Sequence, residues 1–539
     1  MINRVFNFTS NSVTGAAIII SAASLLNKFI GIARDRTLAH AFGAGPIMDA
    51  YYAAFKIPDL IYNLLVVGAL TAGFIPIFTK LFQKDGNKQP AWNLANNVLN
   101  IIGTSLILLS LIGIIFAIPL SKVIALGMPT ENQNLVAMFI RVMFISPVLL
   151  GISMVVGGIL QSLRKFVLYS LAPIFYNLGI IIGVWFLVPT VGLIGLPIGV
   201  ALGAFMHCAL QIYGAYNAGW RWHWRFNLKD RDTLTIGKLM IPRTIGLAIS
   251  NLNNIITTIL ASILPIGAIA TYNYADNLQW VPIGIIGIPF ALAVFPVLSE
   301  KASANDNAGF VNNLMNTVRQ ILFLIIPLSV IFMLLRAQIV RVILGSGNFD
   351  WTATINTADA LAFFSLGLFA QALVPVLTRA FYALENTKTP FIIGMISVLV
   401  NISASLLLMN KLGISGLALA ASIGAIINMI LLFITLRNKT KGLDELRLLN
   451  SLWKISLAGL IMAVVVQALK YPLADWFNLD YFWGIFGQGA VAGTTGLIVY
   501  FLVCWGLKSE EFLALKNSFK KRWLKTENVP VEIETETRN

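Results

Sequence analysis

The sequence predicts an all-α polytopic membrane protein of about fourteen transmembrane helices, arranged as two six-helix pseudo-repeats followed by two C-terminal helices. Hydrophobic residues make up 58% of the 539 positions and charged residues 11%, whereas ordinary soluble domains carry about 25% charged residues. Uncharged runs are also long enough to cross the hydrocarbon layer, which takes ~20 apolar residues in a helix. Because backbone polar groups in lipid must bond within their own segment, these runs predict helices. The long uncharged runs cover 166–220, 244–275, 277–299, 389–410, 412–436 and 481–507.

Turn residues and charges divide the chain into successive helical segments. The first apolar run starts near Thr14 and lacks the short core and cleavage site of a secretory signal, so we expect a retained first helix. The predicted helices cover 12–36, 48–80, 92–118, 134–162, 166–188, 192–217, 233–263, 270–298, 310–335, 355–384, 388–410, 413–436, 450–472 and 482–507.

The distribution of cations predicts the orientation in the membrane. Lys and Arg concentrate in alternate loops, at 80–88, 164–165, 221–231 and 437–447, while the intervening loops are much poorer in them. The positive-inside bias therefore predicts that both termini are cytoplasmic, and it accounts for the net charge of +15 without nucleic acid. We expect a solvated cytoplasmic tail at 509–539.

An internal repeat indicates how the helices are grouped. Val191–Leu196 followed by Gly203 recurs as Leu412–Leu417 followed by Gly424, 221 positions later. This offset spans an even number of helices, so the halves would be parallel, with a substrate site between them. The predicted units are an N-terminal lobe at 1–220, a second lobe at 221–440, two additional helices at 441–508 and the tail.

Charges within the first helix are expensive in lipid and are therefore functional candidates. Ser24, Lys28 and Asp35 follow helical spacing and share one face, and Arg34 and Arg36 flank Asp35. Such a face is not expected to point at lipid.

The second helix adds Asp49, Lys56 and Asp59, with Pro58 predicting a bend. Together the two helices predict a mainly cationic cavity that receives an anionic group, because Lys and Arg suit phosphate oxygens. The alternative is that these charges form ion pairs between the two helices or extend to the outer interface.

The second half differs because its polar residues are mostly uncharged. Amide and hydroxyl side chains mark the seventh helix, and the eighth carries Asn273, Asp276, Asn277 and Gln279. These groups suit a sugar or peptide head group, although hydrogen bonds between helices would explain them as well. His207 and the two cysteines, Cys208 and Cys504, lie in apolar runs and are expected to be packed. No catalytic motif stands in a suitable setting, so we expect no enzyme activity, cofactor or metal.

Several motifs resemble the MurJ (MviN) family of the MOP exporter superfamily. They are Asn27-Lys28-Phe29-Ile30-Gly31-Ile32-Ala33-Arg34-Asp35, Phe42-Gly43-Ala44-Gly45, Asp49-Ala50-Tyr51-Tyr52, Phe55-Lys56-Ile57-Pro58, Gly68-Ala69 and Phe74-Ile75-Pro76. The resemblance implies a flippase of the bacterial cytoplasmic (inner) membrane that moves lipid II, an undecaprenyl-pyrophosphate-linked peptidoglycan precursor, to the outer leaflet by alternating access. Its implied partners are lipid II and membrane lipids; the oligomeric state is left open.

The resemblance also implies roles for individual residues. Lys28 and Arg34 match cationic cavity positions of the family, with Asp35, Asp49 and Lys56 beside them, and 450–507 match helices that hold the lipid tail. The candidate substrate-binding residues are Lys28, Arg34, Asp35, Asp49, Lys56, Asp59, Asp276 and Asn277.

The chain departs from the family where Tyr62 and Asn277 replace expected arginines and Val67 replaces an acid. Some members of the family bind sodium through carboxylates in the second half, but the matching positions here are Thr257 and Ser405. These departures leave room for another polyprenyl-linked saccharide as substrate. A cation-coupled small-molecule exporter and a non-transporting membrane scaffold are the further alternatives.

Overall fold

The structure is a computed structural model that describes residues 13–67, 73–84, 87–514 and 516. The motif Gly68-Ala69 and most of the expected tail at 509–539 lie outside these residues. The described chain is helical throughout, and its α-helices in order are α1 Val13–Phe42, α2 Pro46–Tyr62, α3 Ile75–Gln83, α4 Gln89–Ile115, α5 Ala117–Ile124, α6 Thr130–Met143, α7 Ile145–Ser162, α8 Phe166–Ile182, α9 Val188–Val191, α10 Gly195–Tyr216, α11 Arg231–Ser262, α12 Ala268–Pro282, α13 Ile288–Ser303, α14 Asn307–Leu334, α15 Arg336–Ile343, α16 Trp351–Ala383, α17 Lys388–Leu412, α18 Ile414–Thr440, α19 Glu445–Trp476 and α20 Phe482–Gly506.

The described residues form a multi-pass membrane protein. Ten helical stretches are long and apolar enough to cross a membrane, and an eleventh is added if Arg231–Ile241 and Gly246–Ser262, bent by 50°, form one span. One of the ten, Phe166–Tyr216, contains the two helices α8 and α10, and the charged helices α1 and α2 are not among them. The number of fourteen membrane-crossing helices therefore stays a prediction.

Several of the predicted helices are interrupted, three of them near their middle. The predicted helix 48–80 is divided into α2, a π-helical turn at Asn63–Val67 and α3, and the predicted helix 270–298 contains a π-helical turn at Ile283–Gly287. Pro58 lies inside α2, so the interruption comes after the proline at which the sequence predicted a bend. The predicted helix 134–162 is divided at Phe144 into α6 and α7.

The predicted internal repeat is present in the packing of two helix pairs, α8 with α10 and α17 with α18. Each pair is antiparallel, and glycines let the two backbones touch: a Cβ on Gly203 would lie 2.3 Å from a carbonyl oxygen on α8. The contacts recur 221 positions apart, and they are Gly195–Leu187 and Gly203–Tyr176 in the first half and Gly416–Leu408 and Gly424–Ser397 in the second. The same sequence pattern therefore produces the same hairpin in both halves.

The hydrophobic core joins the two halves most extensively at one end. One cluster contains residues from both halves, including Leu38, Met48, Tyr274 and Phe349, at the end that the charge pattern predicts to be outside. At the other end the core is divided between separate clusters, one mainly from the first half and one from the second half with α19 and α20. Further in, α11 also contacts the first half, because Thr244 donates to the carbonyl oxygen of Leu64 at 3.1 Å and Asn63 donates to Asn251 at 3.0 Å.

Two minor predictions about buried groups are confirmed. His207 is buried and its Nδ1 lies 2.7 Å from the hydroxyl of Ser153. Cys208 and Cys504 are free and buried. These residues pack within the helix bundle, as their apolar surroundings in the sequence predicted.

Candidate substrate cavity

A polar cavity of ≈ 380 Å³ lies between the second half and α2. Lys56 is its contribution from the first half, and the other lining side chains come from α11, α12, α16, α17 and α18. Most of the polar ones are amides and hydroxyls, namely Ser250, Asn253, Asn254, Thr257, Thr258, Asn273, Gln279, Gln371, Ser397, Asn401 and Asn428, and the aromatic ones are Tyr272, Trp280 and Phe364. A surface of this kind offers many hydrogen bonds but little charge.

Lys56 links the two halves across this cavity. Its Nζ donates a 3.1 Å hydrogen bond to Oδ1 of Asn273 on α12. Asp59 follows one turn later on α2 and is exposed. The cation of Lys56 therefore faces a largely uncharged wall.

Asp276 takes part in a chain of hydrogen bonds along the cavity wall. Its Oδ1 accepts from Nε2 of Gln279 at 2.7 Å, and Oε1 of Gln279 accepts from Nε2 of Gln371 at 2.9 Å. Asn401 continues the polar lining, donating to Asn253 at 3.0 Å and accepting from Ser405 at 3.3 Å. These bonds fix the orientation of the amides, so their remaining polar atoms are preorganised for a ligand.

Arg34 and Asp35 form a second polar group at the boundary between the halves. The guanidinium donates from Nε and Nη2 to Oδ1 of Asp35, at 3.0 and 2.7 Å, and from Nη1 to Asn177 on α8 at 2.9 Å. The other carboxylate oxygen of Asp35 accepts a 3.2 Å bond from Asn277 on α12. Arg34 therefore belongs to the first half, and Asp35 ties it to the second.

Lys28 stands nearer the start of α1 and is exposed. Its side chain approaches the π-helical turn Ile283–Gly287, since a Cβ built on Gly284 would lie 3.4 Å from the Lys28 Nζ. The Lys28 side chain thus reaches from α1 to the second half. The turn that it approaches contains no acidic residue. It is the more accessible of the two predicted cations of α1.

Asp49 lies away from the cavity and is buried, with 3% of its surface exposed. Its two carboxylate oxygens accept from the backbone N–H groups of Gly267 at 2.6 Å and Ala270 at 2.7 Å, at the N-terminus of α12. A carboxylate at a helix N-terminus satisfies donors that lack a partner within the helix. This geometry gives Asp49 a role in joining the halves; substrate binding by Asp49 remains an untested prediction.

The predicted site residues are therefore distributed over four places. Lys56 and Asp276 line the cavity with Asp59 one turn from Lys56, and Arg34, Asp35 and Asn277 form one network. Asp49 caps α12, and Lys28 approaches the π-helical turn Ile283–Gly287. The sequence reasoning did not assign Asn177 as a partner of Arg34 or Gln371 as a lining residue. For both Asn177 and Gln371, the signal in the sequence that could have indicated a role is an amide side chain isolated within an apolar run.

Comparison with known proteins places these features in a family. The family described as lipid II flippase MurJ matches residues 38–487. A relative from Vibrio cholerae, named probable lipid II flippase MurJ, is 29% identical over 91% of this chain and 94% of its own length. One from Rhizobium meliloti with the same name is 28% identical over 93% of this chain and 95% of its own.

Solved structures show the same fold. A lipid II flippase MurJ in an inward closed conformation superimposes with a TM-score of 0.74 at 24% identity, covering 94% of this chain and 100% of that one. An inward-facing multidrug resistance MATE family transporter of the MOP superfamily gives a TM-score of 0.64 at 15% identity, over 80% and 99% of the two chains. Since the family match extends over most of the sequence, the chain belongs to the lipid II flippase MurJ family.

Proposed function

We propose that this protein flips lipid II from the inner to the outer leaflet of the bacterial cytoplasmic membrane by alternating access. The single observation that supports it most is the family match over 38–487. The structure adds a polar space between two halves that are packed together at one end. In this proposal the protein is a transporter without catalytic residues, and both termini are cytoplasmic.

The head group enters from the inner side in the proposed cycle. Its anionic part meets Lys28 first and then Arg34, which exchanges part of its pairing with Asp35 for phosphate oxygens. The uncharged saccharide and peptide portions contact the amide-lined cavity, including Asn253 and Asn273. The lipid tail stays in the membrane along α19 and α20, and a rocking motion of the two lobes then exposes the head group outside.

The test is lipid II flipping in cells depleted of their own flippase. Arg34→Ala and Lys28→Ala are each expected to reduce flipping at normal membrane levels of the protein. Lys411→Ala removes an exposed cation at the C-terminal end of α17 and serves as the matched control, with unchanged flipping expected. Correctly inserted wild-type protein that does not flip lipid II would contradict the assignment.

A second candidate is flipping of another polyprenyl-linked saccharide. The observation that favours it is Asn277, which stands where the family resemblance predicts an arginine and donates to Asp35 instead. Mass spectrometry of the lipid-linked species that co-purify with the protein distinguishes the two candidates. A pyrophosphate-linked muropeptide supports lipid II, and a different saccharide supports the alternative.

A further inference from the structure

An apolar groove lies on the lipid-facing side of the first half, away from the polar cavity. It has a volume of ≈ 450 Å³ and is formed by α7 and α10. Its lining residues are Leu149, Ile152, Phe205, Cys208, Ala209, Ile212, Tyr213 and Tyr216. Phe205 is 57% exposed and Tyr216 54%, so the groove opens sideways toward the lipid.

The length of this groove corresponds to one leaflet. Its residues on α10 run from Phe205 to Tyr216, a distance of about 16 Å at ~1.5 Å per residue. Half of the ~30 Å hydrocarbon layer is about 15 Å. The Tyr216 end lies at the start of the segment 217–230, which the charge pattern predicts to be cytoplasmic. An acyl chain of the inner leaflet therefore fits the groove from this end.

A cation stands at that end of the groove. The guanidinium of Arg221 lies over the ring of Tyr216, 3.6 Å from its centroid. Its Nη1 donates to the carbonyl oxygens of Tyr216 at 2.6 Å and Trp220 at 2.8 Å. These bonds hold the arginine in place and use one nitrogen. Among the residues that the structure describes, Nε and Nη2 have no hydrogen-bond partner, so these donors can meet phosphate oxygens.

The backbone that carries Arg221 is held firmly against α4. Asn96 donates to the carbonyl oxygen of Arg221 at 3.0 Å, and Asn100 donates to those of His223 at 3.2 Å and Arg225 at 3.0 Å. Trp222 and Trp224, 57% and 65% exposed, flank the same position. Exposed tryptophans suit the membrane–water interface. The arginine is thus fixed at the depth of lipid head groups.

We propose that the groove between α7 and α10 binds an anionic phospholipid of the inner leaflet. One acyl chain occupies the apolar groove between Phe205 and Tyr216, and the head-group phosphate bonds to Arg221. Charge complementarity selects an anionic lipid, because basic positions at the cytoplasmic interface attract such head groups. Asp230, the first acid after Arg221 in the sequence, accepts from the backbone N–H of Thr233 at the start of the next helix, so its carboxylate is engaged away from the arginine.

The test uses the full-length protein purified in detergent and stripped of lipid. It is incubated with mixed micelles of phosphatidylglycerol and phosphatidylcholine that carry identical acyl chains, and bound lipid is counted by native mass spectrometry. Wild-type protein is expected to retain phosphatidylglycerol preferentially. Arg221→Gln is expected to weaken phosphatidylglycerol retention roughly five-fold, while Lys229→Gln, an exposed cation of the same segment, leaves it unchanged.

A groove-filling variant tests the acyl-chain site separately. Ala209→Trp places a ring in the groove from an exposed position and is expected to reduce retention of both lipids, whereas Leu407→Trp, at an exposed position on α17, has no effect. Unchanged monodispersity in size-exclusion chromatography confirms that each variant is folded. Equal retention of both lipids by the wild type, or equal losses in Arg221→Gln and Lys229→Gln, would overturn the proposal. Either result would mean that the groove holds annular lipid without selecting its head group.

Discussion

At the scale of single residues, the charges of α1 and α2 differ in their surroundings. Arg34 donates to Asp35 and Asn177, Lys56 donates to Asn273, and Lys28 is exposed. A buried ion pair is preorganised because its charges are already oriented and desolvated. In the proposed cycle, an anionic substrate shares the donors of Arg34 with Asp35, and the protein does not have to bury a new unpaired charge.

Asp49 provides the first prediction at this scale. Asp49→Ala leaves the N–H groups of Gly267 and Ala270 without their acceptors, and each lost acceptor costs about 1–3 kcal/mol when the group stays buried. The variant is expected to lower the melting temperature in detergent and to weaken the contact between the halves. Asp480→Ala, in the exposed loop before α20, is the control and is expected to melt like the wild type. Identical melting of both variants would contradict the capping role.

Glu510, which follows α20, gives a prediction about pH. Its Oε2 accepts from Nη2 of Arg447 at 2.7 Å and of Arg319 at 3.0 Å. The bond from Arg447 lowers the pKa of Glu510 below its ordinary value. The folded pKa is thus below the unfolded one, so this attachment is complete at neutral pH and is lost as the pH falls through the lowered pKa.

Hydrogen exchange of residues 509–514 measures this attachment. Exchange in the wild type is expected to accelerate once the pH falls below the usual glutamate value of about 4.3, after correction for the intrinsic pH dependence of exchange. Glu510→Gln removes the charge and is expected to exchange faster at neutral pH, with a smaller further change on acidification. A wild-type profile that matches Glu510→Gln at every pH would show that the ion pairs do not hold this segment.

At the scale of elements, two equivalent helices are interrupted in the same way. The π-helical turns at Asn63–Val67 and Ile283–Gly287 begin 220 positions apart, close to the offset of the sequence repeat. π-helical turns locally change the direction of side chains and occur frequently at functional sites. Here one turn follows Lys56 and Asp59, and the other approaches Lys28. Both interruptions thus lie beside the predicted substrate path.

The glycine contact between α8 and α10 yields a prediction at this scale. Gly203→Ala would place a Cβ 2.3 Å from the carbonyl oxygen of Tyr176, and overpacking of this kind costs about 1–3 kcal/mol. The variant is expected to melt at a lower temperature because two backbones must move apart. Gly394→Ala on α17 meets nothing within 4 Å and is the matched control. Equal melting of the two variants would mean that this close contact does not limit stability.

At the scale of the whole molecule, the halves are held together at the predicted outer end. His40 and Gly43 of the first half accept from the backbone of Asn348 at 3.0 Å and the hydroxyl of Tyr274 at 3.2 Å, and Asp49 caps α12. The polar cavity lies beyond this joined end. The two halves are thus closed against each other at the predicted outer end.

Cysteine labelling tests this state in membranes. Cys208 and Cys504 are the two cysteines of the chain and both are buried, so an introduced cysteine reports alone. Ser250→Cys, at an exposed cavity position, is expected to react with a membrane-impermeant maleimide in inside-out vesicles and to be protected in intact cells. When Asp49→Ala is combined with Ser250→Cys, labelling of the cysteine in intact cells is expected to increase.

Asp480→Cys serves as the reference for the outer side in the same experiment. It is expected to react in intact cells and to be protected in inside-out vesicles. Equal labelling of Ser250→Cys from both sides would contradict an outer end that is closed. Reversal of both labelling patterns would contradict the proposed orientation of the termini.

The sequence by itself determined the fold class, the positions of most helices and the repeat. These properties depend on local composition, because a long uncharged run has no stable state in a membrane other than a helix. It also selected Lys28, Arg34 and Lys56, since ionisable groups stand out in apolar segments. Motifs such as Asn27–Asp35 further indicated the family, which the comparison then confirmed.

Only the tertiary structure decided which polar groups meet. Asp49 caps α12 from a distance of 218 positions in the chain, and Asp35 accepts from Asn277 across 242. Such contacts depend on how the two halves pack and on where π-helical turns rotate the side chains. Neither feature produces a local periodic pattern in the sequence. For the same reason the sequence grouped Asp49 with the cavity charges, while the structure shows its carboxylate bound to backbone donors at the junction of the halves.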